Sequence, residues 1–290
     1  MSYHTPVLIK EVDFYLNLKP CAILVDATFG GGGHSKYLFD KYKDIKIIAL
    51  DCDESAYGQF LKMEKEFGGR LIFVRENFKN IDKALLNLGI EKVDAILADI
   101  GVSSNQFDDL QRGFSFNSKN LDMRMDASQA LDAKEIINTY DEKTLADIFY
   151  QYGQERFSRV IARAVVEYRK TARISSGQVL ADIISRVKKS FSKVNPSTLV
   201  FQALRIFVND ELENLKQLLN CAPPILNQDG RLVVISFHSL EDKIVKENIK
   251  NNAANNIYKN LTKKVVCANG DEIFQNPRAR SAKLRAAQKL

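Results

Sequence analysis

The 290-residue chain is 45% hydrophobic and 27% charged, enough apolar material for a core, which excludes an intrinsically disordered protein. No apolar run nears the roughly 18 residues of a membrane span. Lys10, Glu11, Asp13 and Lys19 argue against a signal peptide, and four scattered cysteines form no C-x-x-C pair, so a reduced cytoplasm is expected and no metal site. The net charge of +6 is uneven: residues 243–290 hold eleven Lys+Arg and three Asp+Glu, +8, and the rest of the chain is −2, which points to a polyanionic partner.

In chain order, residues 22–28 form a short apolar run ending in glycines and predict a buried strand. A helix follows over 34–43, a second strand over 45–50 ending on Asp51, and a helix over 54–67 with Asp53 as its cap and Gly68-Gly69 as its stop. Strands at 71–74 and 93–99 flank a helix over 78–88. Strands alternating with helices predict a parallel sheet covered on both faces. From about Gln106 to Asn195 only helical periodicity is found. Helices are predicted over 141–152, stopped by Gly153, over 154–170 and over 177–191. The second of these should carry Phe157, Val160, Ile161, Ala164, Val165 and Tyr168 on one face. A long helical stretch opens at Asn195-Pro196, bends near Asn209-Asp210 and ends before Pro223-Pro224. A strand returns over 231–237, a helix starts near Leu240 with Ser239 and Asp242 as its capping box, and 263–267 is a last short strand. The expected organisation is an α/β domain over 1–106 and 196–290, with a helical domain, 107–195, inserted into it.

Gly30-Gly-Gly-Gly33 follows the first strand and opens a helix, where glycines let the backbone approach a ligand. The spacing does not match G-x-G-x-x-G, and Asp26 beside the loop would repel a pyrophosphate. Asp51 is placed to accept hydrogen bonds from the ribose hydroxyls of an adenosine-containing cofactor, and Asp99 ends the fourth strand beside the same crevice. Glycine loop and acids in register on strand ends predict a nucleoside-cofactor site.

The ordered motifs are more specific. They include His4-Thr-Pro-Val-Leu8 with Glu11, Asp26-Ala-Thr-Phe-Gly-Gly-Gly-Gly-His-Ser35, Asp99-Ile-Gly-Val-Ser-Ser104 with Gln106, and Arg112-Gly-Phe-Ser-Phe116. Leu121-Asp-Met-Arg-Met-Asp126, Tyr152-Gly-Gln-Glu155, Gln202-Ala-Leu-Arg205, Ser236-Phe-His-Ser-Leu-Glu-Asp242 and Asn276-Pro-Arg-Ala-Arg-Ser-Ala-Lys-Leu-Arg285 follow. In this set the chain resembles the MraW (RsmH) family over nearly all of residues 3–286. Gly31 and Asn195 depart from it, at positions not expected to touch cofactor. The resemblance implies a class I S-adenosylmethionine-dependent methyltransferase, Rossmann-like with a mostly parallel sheet and an inserted all-helical domain. It implies methylation of N4 of a cytidine in 16S ribosomal RNA, in the decoding region of the small ribosomal subunit. The oligomeric state stays open.

The family's cofactor contacts fall here on Gly32, Gly33 and His34 for the amino-acid end, Asp51 for the ribose, Phe78 for the adenine, and Asp99 and Gln106 on the methyl-donor side. Each has a plainer alternative, Phe78 as a core aromatic and His34 as a polar residue in a first helical turn. Transfer to N4 needs an acceptor for an N4 proton. Asp99 is the first candidate, the Ile100 carbonyl can share the role, and His238 is a second; a lone histidine such as His238 or His4 is more often structural. Phe107, Phe114 and Phe116 are candidates for stacking an extruded base, or for core packing. For RNA, Arg156, Arg159 and Arg163, with Lys170, would form a ridge on one helix. Arg278, Arg280, Lys283 and Arg285, with Lys289, would form a flexible basic arm. A DNA aminomethyltransferase would show Asn, Asp or Ser followed by Pro-Pro and Tyr or Phe where this chain has Asp99-Ile-Gly-Val, and a non-catalytic RNA-binding factor would not need an intact site.

Overall fold

The structure is a computed structural model describing residues 6–189 and 195–290. The chain forms two compact units. One is built from the chain up to Gly101 together with Leu212–Leu290, and the other is Val102–Glu211.

The first stretch contains α1 (Ile9–Leu16), β1 (Ile23–Asp26), α2 (Gly33–Lys41), β2 (Lys46–Asp51), α3 (Ser55–Phe67), β3 (Leu71–Arg75), α4 (Ile81–Asn87) and β4 (Val93–Asp99). The second unit holds α5 (Ser104–Asp108), α6 (Ala133–Thr139), α7 (Glu142–Gly153), α8 (Ser158–Arg169), α9 (Gly177–Val187) and α10 (Thr198–Asn209). The chain returns through α11 (Glu211–Ile225), β5 (Leu226–Ser236), α12 (Ser239–Ala254), β6 (Tyr258–Asn260), β7 (Val266–Cys267), α13 (Gly270–Gln275) and β8 (Lys283–Lys289).

The sheet order is β3-β2-β1-β4-β5-β8-β6, with β7 also on β8; the first five are parallel and β8 is antiparallel to its neighbours. The order reverses between β1 and β4, the point where open α/β sheets take their ligands. Alternate residues of each strand feed two cores. Leu24, Ile47, Ala95, Leu97 and Val233 pack with α1, α2 and α3. Val25, Ile48, Ile96, Ala98 and Val234 pack with α4, α11 and α12. Burial on both faces is why these strands read as unbroken apolar runs.

The insert ends later than expected. α10 buries Val200, Phe201, Ala203 and Leu204 with Phe149, Ile161 and Ile184, so the return to the sheet unit comes at Leu212 rather than at 196. Its start comes at Val102 rather than 107. Gly153 is required by packing: a Cβ there would lie 2.3 Å from the carbonyl oxygen of Leu199. The left-handed cap of α7 falls on the next residue, Gln154 (φ 54°). α8 therefore starts at Ser158, not 154, and its buried stripe is Ser158, Ile161, Ala162 and Val165; Phe157 and Val160, expected on that face, are each 51% exposed. The third insert helix ends at Val187, with Lys188 extended, short of the expected Phe191, which lies outside the described residues, as does His4. α11 runs through Pro223-Pro224 to Ile225, its last turn anchored by buried Ala222 and Ile225.

The largest departure is at the C-terminus. Residues 283–289 are an interior strand, β8, between β5 and β6, with Leu284, Ala286 and Ala287 fully buried. The flexible basic arm expected there does not exist.

Candidate active site

The glycine loop leaves β1 at the switch point and its conformation is set locally. Gly30 (φ 49°) and Gly32 (φ 70°) are both left-handed. A Cβ on Gly32 would also collide with Met63 and Phe29, whereas Gly31 faces open space. The Gly32 N–H is spent on the Phe29 carbonyl (2.7 Å). Of the three loop residues expected to cradle a ligand, Gly33 and His34 therefore offer N–H groups, at the start of α2, while Gly32 supplies the turn.

Three carboxylates end adjacent strands around this loop. Asp26 (β1) is buried, accepts the Ser35 hydroxyl at 2.6 Å, and has its carboxyl raised by that burial. Asp51 (β2) accepts the Gly30 N–H at 2.7 Å and the Asp53 N–H at 2.8 Å. Desolvation outweighs those two bonds and pushes its carboxyl up to about 6, with Asp53 and Asp26 adding repulsion. Asp99 (β4) is held by its backbone, whose N–H donates to the Thr28 hydroxyl at 2.7 Å. Its Oδ1 is buried with no hydrogen-bond partner, and its Oδ2 lies 3.7 Å from His34 Nδ1. Desolvation, with repulsion from Asp26 and Glu241 and against the attraction of His34, pushes Asp99 up to about 6.

His34 is buried, and its Nε2 lies 2.9 Å from the Val7 carbonyl oxygen. Val7 is fixed by its neighbour: Leu8, buried and left-handed (φ 51°), donates its N–H to Glu272 Oε1 at 2.6 Å. Glu272 and this tether were not foreseen; a contact across 264 residues leaves no trace in local pattern.

These residues fit S-adenosylmethionine. Three acids and one imidazole make a negative site, suited to a sulfonium and an ammonium rather than to phosphates. Each Asp51 oxygen keeps a lone pair free beyond its one backbone bond, suited to a ribose hydroxyl. The unsatisfied Oδ1 of Asp99 lies in the same group of acids.

The other predicted residues lie as follows. Phe78 opens the 3-10 turn after β3 and packs half-buried at the edge of the α4 core. Gln106 belongs to the helical unit and is buried, its Oε1 accepting the Ser103 N–H at 2.9 Å in the capping box of α5. His238 caps α12: its Nδ1 accepts the Glu241 N–H (3.3 Å) and its Nε2 lies 3.0 Å from Glu241 Oε1. His238, one residue before the expected Ser239, is the capping residue: its Nδ1 serves its own helix, while its Nε2 is buried without a hydrogen bond. Phe114 is buried in the helical core, Phe116 meets Phe201 edge-on at 4.9 Å, and Phe107 is 38% exposed.

Among the basic candidates, Arg156, Arg159 and Arg163 are exposed, Arg163 with Glu142 at 3.6 Å. Phe157 and Val160 are exposed among them. Arg278 and Arg280 are exposed in the turn before β8, and Lys283 is half-buried. Because Lys283 pairs with Ser236, this turn lies at the carboxyl end of the parallel strands, the end that carries Asp99. Phe274, 89% exposed, precedes it. Arg285 is no surface residue: it is 8% exposed and holds Asp242 through two contacts.

The family model described as the MraW methylase family matches residues 1–290. The ribosomal RNA small subunit methyltransferase H of Endomicrobium trichonymphae is 58% identical over 287 residues, covering 99% of each chain. Proteins of the same name from Ehrlichia ruminantium (strain Gardel) and Cyanothece sp. are 45% and 46% identical, covering 99% of this chain and 100% and 95% of theirs.

Proposed function

The chain belongs to the MraW methylase family, and on that premise we propose that it transfers a methyl group from S-adenosylmethionine to the exocyclic N4 of a cytidine in the decoding region of small-subunit ribosomal RNA, in the cytoplasm. The observation that carries this reading is the pairing of Asp99 with the glycine loop at the switch point. An acceptor carboxylate ends the strand next to the loop that would take the cofactor. The names of the relatives supply ribosomal RNA as substrate; the N4 atom follows from the resemblance and the acid.

When bound, S-adenosylmethionine supplies a methyl carbon activated by a sulfonium. Asp51 would hold the ribose, and the N–H groups of Gly33 and His34 the carboxylate of its amino-acid end. Phe78 would pack on the adenine. The N4 lone pair of cytosine is delocalised into the ring, so a group that accepts an N4 hydrogen both turns that lone pair outward and takes the proton. Asp99 would do this through Oδ2. Its raised carboxyl suits it to trade a proton near neutrality.

RNA would be held through phosphate contacts of Arg156, Arg159 and Arg163 on the helical unit, and of Arg278, Arg280 and Lys283 beside β8. Phe157 and Phe274 would offer exposed faces for unstacked bases. A target cytidine must leave its stack to reach the methyl carbon.

Calorimetry with S-adenosylmethionine, followed by tritium transfer to small subunits that lack the modification, tests the proposal. Binding with transfer supports it. Binding without transfer to any RNA would leave a cofactor-dependent assembly factor instead.

A further inference from the structure

We propose that His34 is the residue on which the proton leaving the substrate amine comes to rest, accepting it at Nδ1 from Asp99. The identity of that amine rests on the cytidine-N4 reading above; the proton couple is a property of the folded chain. A carbonyl oxygen only accepts, so the 2.9 Å contact of the Val7 oxygen with His34 Nε2 requires the ring proton to sit on Nε2. In the neutral imidazole Nδ1 then carries the lone pair, and that lone pair faces Asp99 Oδ2 at 3.7 Å.

Two acceptors facing one another call for one proton between them. The surroundings decide where it can go. Asp99 Oδ1 has no hydrogen-bond partner, so no donor stabilises its charge from that side. The titratable groups facing Asp99 are Asp26 from β1, Glu241 from α12 and His34 from α2. Two are acids, and the imidazole is the basic one. Asp26 acts on His34 and Asp99 alike, so both carboxylates would favour an imidazolium here.

The step balances without a further reactant. The N4–H bond breaks and its electron pair stays on the nitrogen that gains the methyl group. The proton forms an O–H bond on Asp99 Oδ2. That bond then breaks in favour of an N–H bond at His34 Nδ1, leaving a carboxylate and an imidazolium. The 3.7 Å gap must close by about 0.8 Å to reach hydrogen-bond length. The tether from Glu272 to the Leu8 N–H keeps the Val7 carbonyl, and with it the tautomer, in place.

The test uses the free, full-length protein labelled with 15N-histidine and 13C-aspartate, with kinetics run in parallel on wild type and His34→Gln. Glutamine keeps an N–H for Val7 but has no basic nitrogen. The expected results are an Nε2–H tautomer at His34 and an Asp99 carboxyl that titrates near 6 in wild type and higher in the variant. We expect kcat to fall by about 10²-fold with KM for S-adenosylmethionine changed less than about threefold. An Nδ1–H tautomer, an Asp99 titration indifferent to His34, or an unaltered kcat would overturn the proposal. Asp99→Asn probes the couple from the other side, through the His34 nitrogen resonances, should His34→Gln fail to fold. A methyl group found on another atom, with the couple intact, would sink the N4 reading and leave the proton couple standing.

Discussion

Arg285 and Asp242 form a two-point ion pair in the sheet unit, Nε to Oδ1 at 2.6 Å and Nη2 to Oδ2 at 3.1 Å. The pair ties the interior strand β8 to the first turn of α12. Breaking a buried pair from one side strands the other charge, at a cost of about 3 kcal/mol or more. Arg285→Ala should therefore lower the unfolding midpoint markedly, and removal of residues 276–290 should leave no folded sheet unit. Urea unfolding of both, with Arg280→Ala as a surface control, checks this; equal stability of all three would contradict it.

The acids give a pH dependence with a definite sign. Asp99 must be ionised to accept a proton and its carboxyl sits at about 6. Methyl transfer should therefore rise from pH 5 to pH 7 and then level off. A rate that is flat over that range would remove Asp99 from the chemistry.

Asp51 and Asp99 each bind a proton more tightly in the folded chain than in the unfolded one, where the carboxylate value is about 3.9. The cofactor-free protein should thus gain stability as pH falls from about 6 toward 4, and lose it as pH rises through 6. A cationic cofactor favours the ionised acids, so its binding near pH 6 should release protons. Calorimetry in two buffers of different ionisation enthalpy reads that release directly; proton uptake would contradict it.

If Arg156, Arg159 and Arg163 contact phosphates, replacing all three by alanine should weaken RNA binding and reduce the salt slope by about 2 to 3, leaving cofactor affinity unchanged. The same slope in variant and wild type would make them an ordinary solvated helix face.

Gly153→Ala should destabilise the helical unit by about 2 kcal/mol, because its Cβ meets the Leu199 carbonyl. Gln154→Gly, at the left-handed cap, should be neutral or stabilising. Thermal unfolding followed by circular dichroism compares the two, and a harmless Gly153→Ala would show that α7 and α10 pack less closely.

The parallel core was legible because strands buried on both faces leave unbroken apolar runs between helices, and because Gly30–Gly33 and the strand-end acids mark the switch point in the sequence itself. β8 was not legible. Lys-Leu-Arg-Ala-Ala-Gln-Lys has the composition of a soluble tail, and only pairing with distant β5 and β6 makes it a strand. The flexible arm was misread for the same reason: Arg285 spends its charge on Asp242, while Arg278 and Arg280 stay exposed in the turn before the strand. The insert boundary moved because α10 packs its apolar face on α7 in the helical core, a pairing that local pattern does not mark. His238 follows a strand, a place that suits a group facing the crevice and equally the helix cap that it forms, and the sequence does not separate the two. The contacts of His34 with Val7 and Asp99 depend on chain segments far apart, so residue type alone could flag the ring but not its partners.

The central claim is that this chain places a methyl group on a cytidine N4. Small subunits from a strain lacking the enzyme, incubated with the protein and labelled S-adenosylmethionine and then mapped by mass spectrometry, test it most directly. The expected result is one added methyl group, on the exocyclic nitrogen of one cytidine in the decoding region, with transfer at least about 10²-fold slower for Asp99→Asn. A methyl group on a ring atom, a ribose or another base, or full transfer by the variant, would contradict it.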